Sequence, residues 1–151
     1  MFDLRLILKP LQSQTVRRQA LLTVNALAHA NVDLITTGAL KTVILPVLYK
    51  EIKPDEKLVR SVQNPSLSVN CEQIRVVNLG PFKHKIDDGL PLRKAAFQAL
   101  ETLLEVAPHR LDLSEFVRSV QIGLVDHDDI QIVTYQILCV FVRLYALLFV
   151  S

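Results

Sequence analysis

Apolar residues return at intervals of four and eight along three stretches of the chain. From Val16 the pattern continues through Val24 and Ala28. At 76 positions further on it is carried by Leu92, Leu100 and Leu104, and after another 40 by Ile132, Val140 and Leu144. At 3.6 residues per turn these intervals hold side chains on one helical face, so the spacing predicts three equivalent helices. Asp88 and Asp128 each stand four positions before the first apolar residue of their helix. A carboxylate there can accept from free N–H groups and favour the positive end of the helix dipole. Ser13 is the expected cap of the first copy.

A second helix type precedes the second and third copies. Leu40, Ile44 and Leu48 are again offset by 76 from Phe116, Val120 and Leu124. Two helix types therefore alternate, with residues 1–8 read as the remnant of a first helix of the preceding type. The 40-residue period is that of HEAT repeats. The expected fold is an all-α HEAT-repeat solenoid of about two and a half repeats, with residues 1–151 one segment of a larger array. Asn31-Val32-Asp33 and Ala107-Pro108-His109 carry breakers between helices and read as inter-repeat turns.

The second repeat departs from this regularity. From Leu48 to Leu92 is 44 positions, whereas the equivalent Leu124 to Ile132 is 8, which leaves an insertion of 36 residues within the span 51–88. Val76-Val77 leads to Gly80-Pro81, after which Phe82, His84 and Ile86 alternate. β-branched residues, a turn pair and a period of two predict a projecting β-hairpin over residues 76–88. Loops that interrupt a repeat gather on one surface and commonly form its binding face. Residues 61–75 include Asn64-Pro65-Ser66 and lack a continuous apolar face, which reads as a surface loop.

Composition narrows the function. Seventeen basic and fifteen acidic side chains leave a formal net charge of +2, and half of the 151 residues are hydrophobic. Such a balance excludes an acidic disordered tail and supplies no basic ladder for nucleic acid. Cys71 and Cys139 lie 68 positions apart and form no CxxC pair. A reducing intracellular compartment is therefore expected. Residues 130–150 could reach across a bilayer by length, but Gln131, Thr134, Gln136 and Arg143 interrupt them. A buried helix of a globular protein is the expected state, with no membrane partner. No GxSxG, GxxxxGK[ST] or HExxH motif is present. His127-Asp128-Asp129 reads as a helix-capping cluster, because adjacent positions do not converge on a metal as i, i+4 ligands do. No enzyme activity, metal or cofactor is expected. Arg17 and Arg93, each one position past the first apolar residue of its helix, are expected to bond carboxylates or carbonyls of a neighbouring repeat.

The run Leu79-Gly80-Pro81-Phe82-Lys83-His84-Lys85-Ile86-Asp87-Asp88-Gly89-Leu90-Pro91-Leu92-Arg93-Lys94-Ala95-Ala96-Phe97 resembles a stretch near the C-terminal end of the cullin-associated, neddylation-dissociated proteins. Val16-Arg17-Arg18, Leu45-Pro46-Val47-Leu48-Tyr49, Arg110-Leu111-Asp112 and Gly123-Leu124-Val125-Asp126-His127 extend the resemblance in the family's order. Residues 61–75 look like extra sequence against that pattern, and the chain reads as a fragment. The resemblance implies a HEAT-repeat scaffold that binds an unneddylated cullin and acts as an exchange factor for substrate-receptor modules of cullin-RING ubiquitin ligases, in SCF complex assembly. It further implies a hairpin that competes with the adaptor. Val77, Leu79, Phe82, Lys83, His84, Lys85 and Ile86 are the candidate partner-binding residues, with Leu79 and Phe82 as apolar anchors and the basic residues as rim. The missing parts of the same solenoid are a further candidate partner. The alternatives are a generic HEAT-repeat scaffold of importin-like or other type, and an inactive truncated fragment.

Overall fold

The structure, a computed structural model, describes residues 13–54, 74–80 and 82–149. Its helices are α1 (Gln14–Asn31), α2 (Thr37–Ala39), α3 (Leu45–Glu51), α4 (Leu90–Val106), α5 (Leu113–Val120) and α6 (Asp128–Phe149). A π-helical segment, Leu40–Ile44, joins α2 to α3. Pro46 stands in the first turn of α3. Having no N–H, it cannot donate to the Thr42 carbonyl, and widening of the preceding turn accommodates the lost bond. Two strands, β1 (Ile74–Leu79) and β2 (Phe82–Asp87), pair antiparallel between α3 and α4. The remnant helix expected over residues 1–8 and the loop expected over 61–75 lie outside the described residues.

The offset of 76 reappears in detail. The first inter-helix turn is a 3₁₀ segment, Val32–Leu34, and the second is Pro108–Arg110. Each leads to an N-cap of the same design. Thr36 Oγ1 accepts from the Ala39 N–H at 3.2 Å, and Asp112 Oδ1 accepts from the Glu115 N–H at 3.1 Å. Both satisfy a donor that the helix itself leaves free.

α4 is the central element and packs against α1, α3 and α6. Covered on several sides, it buries ten residues, among them Leu92, Ala96, Phe97, Leu100 and Leu104. α1 contributes Leu21, Val24 and Ala28, and the run from α2 to α3 contributes Leu40, Ile44, Leu48 and, just beyond, Ile52. Phe116 and Val120 complete the core from α5. Each fully buried Leu, Ile or Phe contributes about 1.5–3 kcal/mol against unfolding, so this layer dominates the fold's stability.

Three expectations need correction. The face predicted for α6 begins at Ile132, which is 57% exposed, whereas Ile130, Val133, Thr134 and Ile137 are buried. Among the described residues α6 packs against α4 and the Gln121–Val125 turn, so only the strip facing them is covered. Val140 and Leu144 are partly buried at its edge. Although the α6 segment Asp128–Ala146 is long and apolar enough to cross a membrane, only 22% of it is buried. It is thus half-packed rather than enclosed. Val16, expected to open the buried face of α1, is 46% exposed in the first turn.

The caps also differ. Ser13 occupies the N-cap of α1 but makes no side-chain capping bond. Gly89, not Asp88, is the N-cap of α4. At α6 the His127 ring Nδ1, rather than Asp128, accepts from the Asp129 N–H at 3.3 Å. Asp128 lies in the first turn, where the dipole still favours its charge.

Candidate protein-docking site

The two strands pair from Ile74 with Asp87 to Leu79 with Phe82, two residues earlier on β1 than expected. Gly80, in the two-residue connection, has φ +66°. Only glycine enters that left-handed region without a Cβ penalty, which is why a tight reversal forms here. The register pairs Val77 with His84 and Asn78 with Lys83. Val77, Leu79, Phe82, His84 and Ile86 therefore share one set of alternate positions, and Lys83 and Lys85 the other. Along β2 the position of His84 alternates with those of Lys83 and Lys85. Val77 is half-buried and Ile86 exposed.

The root of the strand pair is fixed by Arg93, on the first turn of α4. Its Nη2 donates to Asp87 Oδ2 at 2.7 Å, and its Nε and Nη2 donate to Asp126 Oδ2 and Oδ1 at 2.8 and 2.9 Å. The Arg93 and Asp126 side chains are each 3% exposed. Burial alone would lower the guanidinium pKa. Hydrogen bonds and charge from Asp87 and Asp126 outweigh that and raise it above its ordinary value. Asp87 Oδ1 also accepts from the Gly89 N–H at 2.9 Å, closing the turn from β2 into α4.

Two further arginines join parts distant in sequence. Arg17 Nη1 donates to both carboxylate oxygens of Glu51, at 2.9 and 3.2 Å, tying α1 to the end of α3. Arg110 donates to the Val32 and Ile35 carbonyls and to Asp33 Oδ1. Arg17 and Arg93 act as their positions predicted. Arg110 and Asp126 stand in the run of family-like residues without any expected bond. Their contacts arise from chain packing, and the one local hint is that Arg110 follows the Pro108 turn at the place where Asn31-Val32-Asp33 recurs.

Between the run from α2 to α3 and the start of α5 lies a cavity of about 410 Å³ lined by Lys41, Leu45, Pro46, Tyr49, Asp112 and Glu115. Burial, with Glu115 and Asp112 adding to it, raises the Tyr49 pKa, so the phenol stays protonated. Among the described residues no cluster of His, Cys, Asp or Glu is arranged to hold a metal ion. The site offers a strand pair braced by buried charge, which suits protein contact.

Helices repeating at 76 positions, with matched turns and caps, are those of an all-α repeat protein. The family model described as TATA-binding protein interacting (TIP20) matches residues 65–147, more than half of the chain. The chain belongs to this TIP120 family, together with the cullin-associated NEDD8-dissociated proteins that its sequence resembles. It is 42% identical over 120 residues to cullin-associated NEDD8-dissociated protein 1 of Drosophila melanogaster and 39% identical over 120 residues to protein 2 of Mus musculus, in each case across 80% of this chain. With protein 1 of Dictyostelium discoideum the identity is 40% over 111 residues, or 74% of the chain. The chain spans about 8% of the length of these relatives.

Proposed function

We propose that this chain is a cullin-binding segment of a HEAT-repeat solenoid, a scaffold rather than an enzyme. The paired strands β1 and β2 project from an insertion over residues 51–88 and contact an unneddylated cullin where the adaptor would otherwise sit. The observation that carries the reading is the coincidence of two facts. The relatives are named cullin-associated, and the run whose residues carry the resemblance, Leu79 to Phe97, holds β2, its tight turn and its Arg93 brace. Leu79 and Phe82 face each other across the last rung before the turn. Aromatic residues at such a place are the type that carries interface affinity. Lys83 and Lys85, on the alternate positions with His84 opposite, suit acidic partner residues and act mainly on association rate and salt dependence. SCF-type ligase assembly is the proposed setting, with cytoplasm and nucleus as the proposed locations.

The test is titration of the chain against unmodified cullin, with and without adaptor. Phe82→Ala should weaken binding by about 1–3 kcal/mol and Lys85→Ala by much less. Deletion of residues 76–86 should abolish competition with the adaptor. Competition left intact by both the Phe82 variant and the deletion would remove the strand pair from the site. Capture of transport cargo instead of cullin would favour an importin-like scaffold.

A further inference from the structure

A two-stranded pair is marginal alone in water, so its direction must be set from elsewhere. β2 ends at Asp87 and α4 begins at Leu90, which leaves two residues between them. Asp87 meets two donors there. One oxygen takes the Gly89 N–H, a bond that closes the local turn, and the other takes Arg93 Nη2. Arg93 in turn holds Asp126 by a two-bond fork. Asp126 is itself immobilised: its Oδ1 accepts from the His127 N–H at 2.7 Å, and its carbonyl accepts from Gln131 Nε2 at 2.9 Å. The chain of contacts runs from strand to guanidinium to the turn before α6.

We propose that Arg93 is the positioning residue of the strand pair, holding Asp87 against the fixed Asp126 turn and so setting where the tip meets its protein partner. The inference rests on the cullin-binding reading for its consequence but not for its geometry. Phe82 lies five residues from Asp87, or about 17 Å at the rise of an extended strand. A swing of about 10° at the root therefore moves the tip by roughly 3 Å, more than the ~0.5 Å within which a binding constellation must be held.

Arg93→Met would leave the buried Asp126 carboxylate and the half-buried Asp87 carboxylate without their cation and risks unfolding the chain. Asp87→Asn is the sharper variant. Its Oδ1 can still accept from Gly89, the Arg93 to Asp126 fork stays intact, and only the acceptor facing Arg93 Nη2 becomes a donor. In the full chain, with Cys71 and Cys139 replaced by Ser, spin labels at Lys83→Cys and Ser114→Cys report the distance from the strands to α5. A narrow distribution that Asp87→Asn broadens, with the unfolding midpoint little changed, is the expected result. An unchanged width would overturn the positioning role. On unlabelled chains that keep Lys83 and Ser114, the concentration needed to displace adaptor from unmodified cullin should rise about tenfold with Asp87→Asn, a loss of 1.4 kcal/mol. Deletion of residues 76–86 separates the two ideas. If the deletion leaves competition intact, the cullin-binding reading fails, while the distance measurement still decides for or against Arg93.

Discussion

Arg110 Nη1 donates to the Ile35 carbonyl oxygen at 3.0 Å, a bond that spans 75 positions of sequence and joins one inter-helix turn to its equivalent. The same nitrogen reaches the Val32 carbonyl at 3.2 Å, and Nη2 reaches Asp33. A guanidinium has no acceptor and several donors, so it can serve carbonyls at the end of a turn that no helix satisfies.

Arg110→Ala should therefore destabilise the fold by about 1–3 kcal/mol, because partly buried carbonyls lose a charged donor. Asp33→Asn, whose side chain is exposed, should cost less than about 1 kcal/mol. Urea unfolding of the two variants checks the contrast, and equal losses would show that the carboxylate, not the carbonyls, gives the bond its worth.

Gly123 marks the closest approach of the Gln121–Val125 turn to the helices beneath it. A Cβ there would fall 2.8 Å from Phe97 Cζ and collide with Thr134 Oγ1. Thr134 is buried and its hydroxyl is committed to the Ile130 carbonyl at 2.8 Å, so it cannot easily turn away. Gly123→Ala is expected to destabilise by about 1–3 kcal/mol through overpacking. Gly38→Ala, where the added carbon meets open space, is the control and should be neutral or stabilising in thermal unfolding.

Burial, and then the neighbouring charge of Glu105, raise the pKa of Glu101 above its ordinary 4.5. The folded state thus binds this proton more tightly than the unfolded chain does. The stabilisation from protonation is fully present below the unfolded pKa and is lost as pH rises through the folded one. At pH 7, well above the unfolded pKa, Glu101 is consequently a liability to the folded state, and Glu101→Gln should raise stability there. The gain should shrink toward pH 4, which denaturant titrations at both pH values would register. A gain independent of pH would assign the effect to packing instead.

α6 turns Ile132, Tyr135 and Val142 outward, at 57%, 56% and 64% exposure. Together with exposed Cys139 they lie along one side of the helix. Contiguous apolar surface of this kind drives association. The chain is expected to self-associate. Ile132→Glu with Tyr135→Lys should reduce that in sedimentation measurements while changing stability by less than about 0.5 kcal/mol per site. A monodisperse wild-type chain at high concentration would contradict the expectation.

The sequence by itself determined the repeat frame. Val24 and Ala28, Leu100 and Leu104, Leu40 and Ile44, Phe116 and Val120 all occupy the helices that their spacing predicts, and the 76-position offset extends to the turns and to the Thr36 and Asp112 caps. Periodicity, breakers and caps act over a few residues, so they are legible without knowing what packs on what. The tight reversal at Gly80 was legible for the same reason. Tertiary structure alone decided which strip of α6 is covered, because Ile130 and Ile132 are equally apolar and only the positions of α4 and the Gln121–Val125 turn distinguish them. It also decided the root of the strand pair. Arg93 was readable as a residue that bonds a carboxylate, but its choice of Asp87 and of Asp126, 33 positions away, follows from burial. A guanidinium removed from water must find whichever acceptors the packed chains bring to it.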